Sequence, residues 1–111
     1  MNVKDMQGAA GDATELLKAL ANRNRLMLLC QLSEGEKSVG ELAALLEIRD
    51  TAVSQQLALL RKDGLVAARR DAQTIYYSLA STAAAKVIDT LYRIFCAEAC
   101  APARGRKRRA A

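Results

Sequence analysis

Three cysteines, Cys30, Cys96 and Cys100, are the residues of this chain best suited to covalent chemistry. A thiolate can attack a disulfide or a persulfide, climb the oxidation ladder, or ligate a soft metal ion. The chain has no histidine, so it offers neither a Cys–His nucleophile nor an imidazole metal ligand. It also lacks a Cys-x-x-Cys, the signature of a thioredoxin-like oxidoreductase. Cys30 sits in the apolar run "RLMLLCQL" (25–32), where a thiol is ordinarily a small hydrophobe filling a gap. Core filler, a redox pair and a three-thiolate site for a thiophilic ion are all open at this point.

A second set of residues has the chemistry to read a nucleic acid. Between 50 and 63, Val53, Leu57 and Leu60 recur at helical spacing and make an inward stripe. Thr51, Ser54, Gln55 and Arg61 then point largely outward, with Gln56 at the edge. Glutamine can pair bidentately with adenine, and hydroxyls suit phosphates or base edges. Arg69, Arg70 and Gln73 follow in an alternating stretch. Taken singly, each of these residues reads as solvated surface.

Charge placement favours the joint reading. The net charge of +5 equals the five cations of the tail (Arg104, Arg106, Lys107, Arg108, Arg109), so residues 1–103 are neutral. Within that body, residues 1–48 carry five basic and seven acidic groups, and residues 49–77 carry five and three. A polyanion fits this polarity, because cations on one face and a basic tail release counterions from phosphates.

The elements that must position these residues are mostly helices. Asp12 can cap a short helix through "ATELLKAL", and Asn22 the next, which stops near Gly35. Ser38 with Glu41 makes a capping box for "VGELAALLE". Asp50 caps the helix that Gly64 closes. The period then alternates, and "LVAARR", "DAQ" and "TIYYSLA" read as two short strands joined by a tight turn. Ser81 opens the longest helix, where Ala84, Val87, Ile88, Leu91, Ile94 and Phe95 share one face. The expected fold is mainly α with a β-hairpin wing (α+β), in the order ααααββα. Two short helices joined by a few residues and followed by a hairpin form a winged helix-turn-helix. Residues 1–12 are expected as a flexible arm, 13–100 as the DNA-binding and dimerisation domain, and 101–111 as a disordered basic tail beginning near Pro102. No apolar run has the length of a membrane span or the pattern of a signal peptide, so a cytoplasmic protein without a membrane partner is expected.

The segments "LLKALANRNRLMLLCQL", "SVGELAALL", "AVSQQLALLRKDGLV" and "RRDAQTIYYSL" resemble the ArsR (ArsR/SmtB) family of winged-helix repressors over about residues 14–97. "RLMLLC…EGEKSVGEL" and "LYRIFC" are similar to the sulfide- and persulfide-responsive subgroup of the biofilm-growth-associated type. The resemblance implies a homodimer through the first and last helices and repression of a promoter until an inducer changes the dimer. Arg49, Asp50 and Thr51 stand where relatives usually begin the recognition helix with Ser-Gln-Pro or Ser-Gln-Ser, so no operator sequence is carried over.

The family's metal sites find no match here. One draws on histidines and carboxylates of the last helix. The other uses a Cys-x-Cys where this chain reads Ser38-Val39-Gly40. The dithiol subgroup instead implies a redox pair, Cys30 with Cys96, that forms a disulfide or polysulfide bridge and releases operator DNA. Arg25 and Arg93 are the cations nearest these thiols by helical count. Cys100 falls outside that pair. The chain is therefore expected to be a dimeric repressor, not an enzyme, with no cofactor. Its partners are double-stranded operator DNA, a second copy of itself, and reactive sulfur or an oxidant as inducer. The alternatives are a thiophilic metal or metalloid sensor using Cys30, Cys96 and Cys100 and, from another class, a thiol oxidoreductase.

Overall fold

A computed structural model of the chain describes residues 1–97. Cys100 and the basic tail expected over residues 101–111 lie outside the described residues. The chain divides into two compact units, residues 1–81 and the segment from Thr82 onward.

The first unit opens with α1, Val3–Leu20, followed by α2, Arg23–Ser33. Residues 3–12, expected as an arm, are instead the first turns of α1. Asn2 explains the early start: its side chain accepts from the Lys4 N–H at 2.8 Å, so the end donors lie well before the turn that Asp12 was expected to cap. Asn22 caps α2 as expected, accepting from the Arg25 N–H. Arg25 also joins the two helices. Its Nε donates to the Ala19 carbonyl at 2.9 Å and its Nη2 to the Lys18 carbonyl at 3.1 Å, so the cation occupies the acceptor end of α1.

A two-residue strand, β1 (Lys37–Ser38), leads directly into α3, Val39–Leu46. Ser38 caps α3 in a reciprocal box: its hydroxyl accepts from the Glu41 N–H, and the Glu41 carboxylate accepts from the Ser38 N–H. Then come α4 (Asp50–Lys62), β2 (Val66–Asp71) and β3 (Thr74–Leu79). The sheet is antiparallel in the order β1-β3-β2, with Ser38 opposite Tyr76 and Tyr76 opposite Arg69. The helix-helix-helix-helix-hairpin order is as expected, and β1 is an addition. Two residues are too few for an alternating pattern to register.

The core of this unit lies where α2, α3 and α4 meet the sheet. Leu28, Leu29, Leu32, Leu42, Val53, Leu57, Leu60 and Val66 are buried there. The second unit contains α5, Thr82–Tyr92, followed by a π-helical turn, Arg93–Ala97. In α5, Ala84 and Ile88 are buried, whereas Tyr92 at its end and Ile94 and Phe95 in the π-helical turn are exposed.

Candidate nucleic-acid interface and thiols

The interface begins at the turn between α3 and α4. Glu47 ends α3 in the left-handed region (φ 57, ψ 44), and its N–H donates to the Ala43 carbonyl. Such a turn lets α4 start within three residues of the end of α3. The N-cap of α4 is Arg49, not Asp50, and no side chain bonds to the free N–H groups there. Asp50 is the first helical residue, where a carboxylate complements the helix dipole without capping it. The backbone decides this, since the extended residue preceding the first helical one is Arg49 (φ −69, ψ 145).

Val53, Leu57 and Leu60 anchor α4 in the core. Their phase turns Thr51, Ser54, Gln55 and Arg61 to solvent, along with Ala58 and Leu59. Gln56 is half-buried at the edge, and its Oε1 is buried with no hydrogen-bond partner among the described residues. Of the five candidates on this helix, four therefore project outward together, and Gln56 stands apart.

The wing is the β2–β3 hairpin, whose strands pair from Val66–Leu79 to Asp71–Thr74. Its two-residue tip is Ala72 and exposed Gln73, with Ala72 at φ 57. Successive strand residues face opposite sides, so Arg69 and Arg70 are separated by the sheet. Arg70 is exposed and forms no ion pair among the described residues. Arg69 is engaged. Its Nε and Nη2 donate to the two carboxylate oxygens of Glu36 at 3.0 and 2.7 Å, and its guanidinium lies 4.9 Å over the Tyr76 ring. Asp71 approaches Nη1 at 3.9 Å. The hydrogen bond from Arg69 holds the Glu36 carboxyl below the usual glutamate range, and the same contact holds Arg69 more firmly charged. Because the folded value of Glu36 is depressed, the pair is fully present above the ordinary glutamate pKa and is lost as pH falls through the folded value. Sequence reasoning missed Glu36 and Tyr76. The alternation of β2 was the available signal that Arg69 and Arg70 have different surroundings.

The thiols stand on separate units. Cys30 is half-buried on α2, and its carbonyl accepts from the Ser33 hydroxyl at 2.6 Å. Cys96 is exposed within the π-helical turn. The two cations nearest by helical count have partners of their own, Arg25 at the end of α1 and Arg93 with Asp89 at 2.6 Å. Among the described residues, no group of three or more His, Cys, Asp or Glu could hold a metal ion. No helix there is long and apolar enough to cross a membrane.

Residues 22–68, from the cap of α2 into β2, match the bacterial regulatory protein arsR family. The biofilm growth-associated repressor of Agrobacterium fabrum is 52% identical over 92 residues, covering 83% of this chain and 79% of the relative. The chain belongs to the ArsR family. The transcriptional activator HlyU of Vibrio cholerae is a further relative, 48% identical over 96 residues that cover 86% of this chain and 89% of HlyU. Among solved structures, the transcriptional repressor BigR from Xylella fastidiosa superposes with a TM-score of 0.83 at 45% identity, covering 86% of this chain and 98% of that one. ArsR proteins of this kind are DNA-binding transcriptional regulators, not enzymes, and the winged helix-turn-helix described above is their fold.

Proposed function

We propose that this regulator is a homodimeric repressor whose Cys30 and Cys96 form a dithiol switch responsive to reactive sulfur or oxidants. Thr51, Ser54, Gln55, Gln56 and Arg61 on α4, with Arg70 and Gln73 on the wing, engage the operator duplex. The observation that carries the DNA part is the shared outward projection of Thr51, Ser54, Gln55 and Arg61 from a helix anchored by Val53, Leu57 and Leu60. Support for a dimer comes from the exposed apolar residues Tyr92, Ile94 and Phe95. Support for the switch comes from the exposure of Cys96, which admits an inducer, and from the likeness to biofilm growth-associated repressors.

With a persulfide the chemistry balances in two steps. One thiolate attacks the terminal sulfur of R–S–SH, giving a protein persulfide and releasing RS⁻. The second thiolate attacks the protein-bound sulfur of that persulfide, forming the Cys30–Cys96 disulfide and expelling HS⁻. The two thiolates lose two electrons, and the persulfide is reduced to thiolate and hydrosulfide. A second persulfide equivalent, consumed before closure, lengthens the bridge by one sulfur. The bridge shifts the dimer away from the half-site spacing of two successive major grooves.

The test is a titration of reduced protein onto a duplex of its own promoter region, repeated after an organic persulfide, peroxide and a thiophilic metal. Intact mass is recorded for each sample. The expected result is a loss of affinity of about 5- to 150-fold after persulfide or peroxide. The mass should show loss of two hydrogens or added sulfur, and Cys30→Ser and Cys96→Ser should be blind to both reagents. A response to metal alone would make the chain a thiophilic-ion sensor. Indifference to all three would leave the thiols as filler.

A further inference from the structure

Arg69 is a wing cation already engaged within the chain. Its Nε and Nη2 are both given to Glu36, its flat face lies on Tyr76, and Asp71 stands near Nη1. A bidentate fork of this kind fixes the guanidinium plane and its direction. A phosphate would have to compete with two carboxylates for it, and those anions offset its charge.

The topology shows what the fork joins. Arg69 lies on β2 at one edge of the sheet, Tyr76 on the central β3, and Glu36 immediately precedes β1 at the other edge. The side chain therefore spans all three strands. The far end of that span is the segment Glu36–Lys37–Ser38, and Ser38 is the cap of α3. Through Glu36, the middle of the wing is tied to the short segment that leads into the cap of α3. Arg70, opposite Ile75, is on the other face of the hairpin and free of this arrangement.

We propose that Arg69 is a positioning residue and not a DNA contact: clasped to Glu36 across Tyr76, it sets the angle of the wing to α4, so that Arg70 and Gln73 meet the duplex. The inference rests on the reading that the wing engages operator DNA.

Glu36→Gln is the decisive variant, because the two accounts give it opposite signs. Removing an anion near DNA strengthens binding if only charge matters. If Glu36 aims the wing, the same change weakens binding to the promoter duplex by about fivefold, the size expected for a charge-assisted hydrogen bond at an exposed site. Affinity for a duplex of scrambled sequence should hold or rise. Binding is followed by fluorescence anisotropy from 50 to 300 mM salt, with circular dichroism confirming that each variant is folded. Arg69→Gln should weaken promoter binding while leaving the slope of log K against log salt unchanged. Arg70→Gln should flatten that slope by about 0.9, the value for one phosphate contact. Tighter promoter binding by Glu36→Gln, or a slope change of about 0.9 for Arg69→Gln, overturns the proposal. An Arg70→Gln variant that binds like the wild type overturns the wing-contact reading itself, and the positioning role with it.

Discussion

Val53, Leu57 and Leu60 on α4 are sealed from water, whereas Tyr92, Ile94 and Phe95 at the end of the chain's last described helix are 56%, 55% and 69% exposed. Val53, Leu57 and Leu60 come from one apolar stripe at helical spacing, Ile94 and Phe95 from another, with Tyr92 on its flank. In the helix-turn-helix the stripe meets α2, α3 and the sheet, so burial is completed within one chain. In the segment 92–95 it is not completed within the described residues of one chain. Polar groups differ in parallel. Residues 36–79 contain a reciprocal capping box and a three-strand clasp, while the segment 89–97 has one exposed ion pair, Arg93 with Asp89, and an exposed thiol. The first region is finished by folding. The second supports the proposal that it is finished by association.

This contrast can be broken most directly in the core. Leu57→Ala removes a side chain with no solvent exposure and should destabilise the protein by about 2–5 kcal/mol, read by chemical denaturation. A loss under 1 kcal/mol would mean that the helix-turn-helix is no better completed than the terminal segment. Phe95→Glu tests the other half. It should leave the helical content at high protein concentration unchanged and raise the dimer dissociation constant by about 10- to 100-fold, measured by sedimentation. Unchanged association would remove the role proposed for the exposed stripe. The smallest effect is expected at the turn before α4. Glu47 occupies the left-handed region, where a Cβ is costly, and its carboxylate sits at the negative end of α3. Glu47→Gly should therefore stabilise by about 0.5–1 kcal/mol, raising the melting temperature by roughly 3–6 °C. A destabilised Glu47→Gly would show that Glu47 has a contact worth more than its strain.

The pattern of successes along the chain has a physical basis. The Ser38–Glu41 box, the Asn22 cap and the Val53-Leu57-Leu60 stripe are set by residues within one or two turns of each other, and all appear in the structure as the sequence indicates. The hairpin was legible for the same reason, because alternation over six residues and a tight turn are local. Two caps were misassigned. Asp12 and Asp50 are good capping residues, yet Asn2 starts α1 and Arg49 precedes α4, since intrinsic preference does not fix where the backbone leaves the extended region. Exposure of Thr51, Ser54, Gln55 and Arg61 was legible from the phase of α4, whereas the buried Oε1 of Gln56 was not.

The sequence by itself determined the winged helix-turn-helix, its element order and the face of α4 that points outward, because periodicity and capping act between near neighbours. It also placed the candidate thiols on the second and last helices. Local alternation puts Arg69 and Arg70, adjacent and chemically identical, on opposite faces, but only the tertiary structure decided that Glu36 and Tyr76 meet Arg69. That outcome depends on the register of three strands, which brings Glu36 to Arg69 across 33 residues of chain, and no local pattern encodes a meeting at that separation.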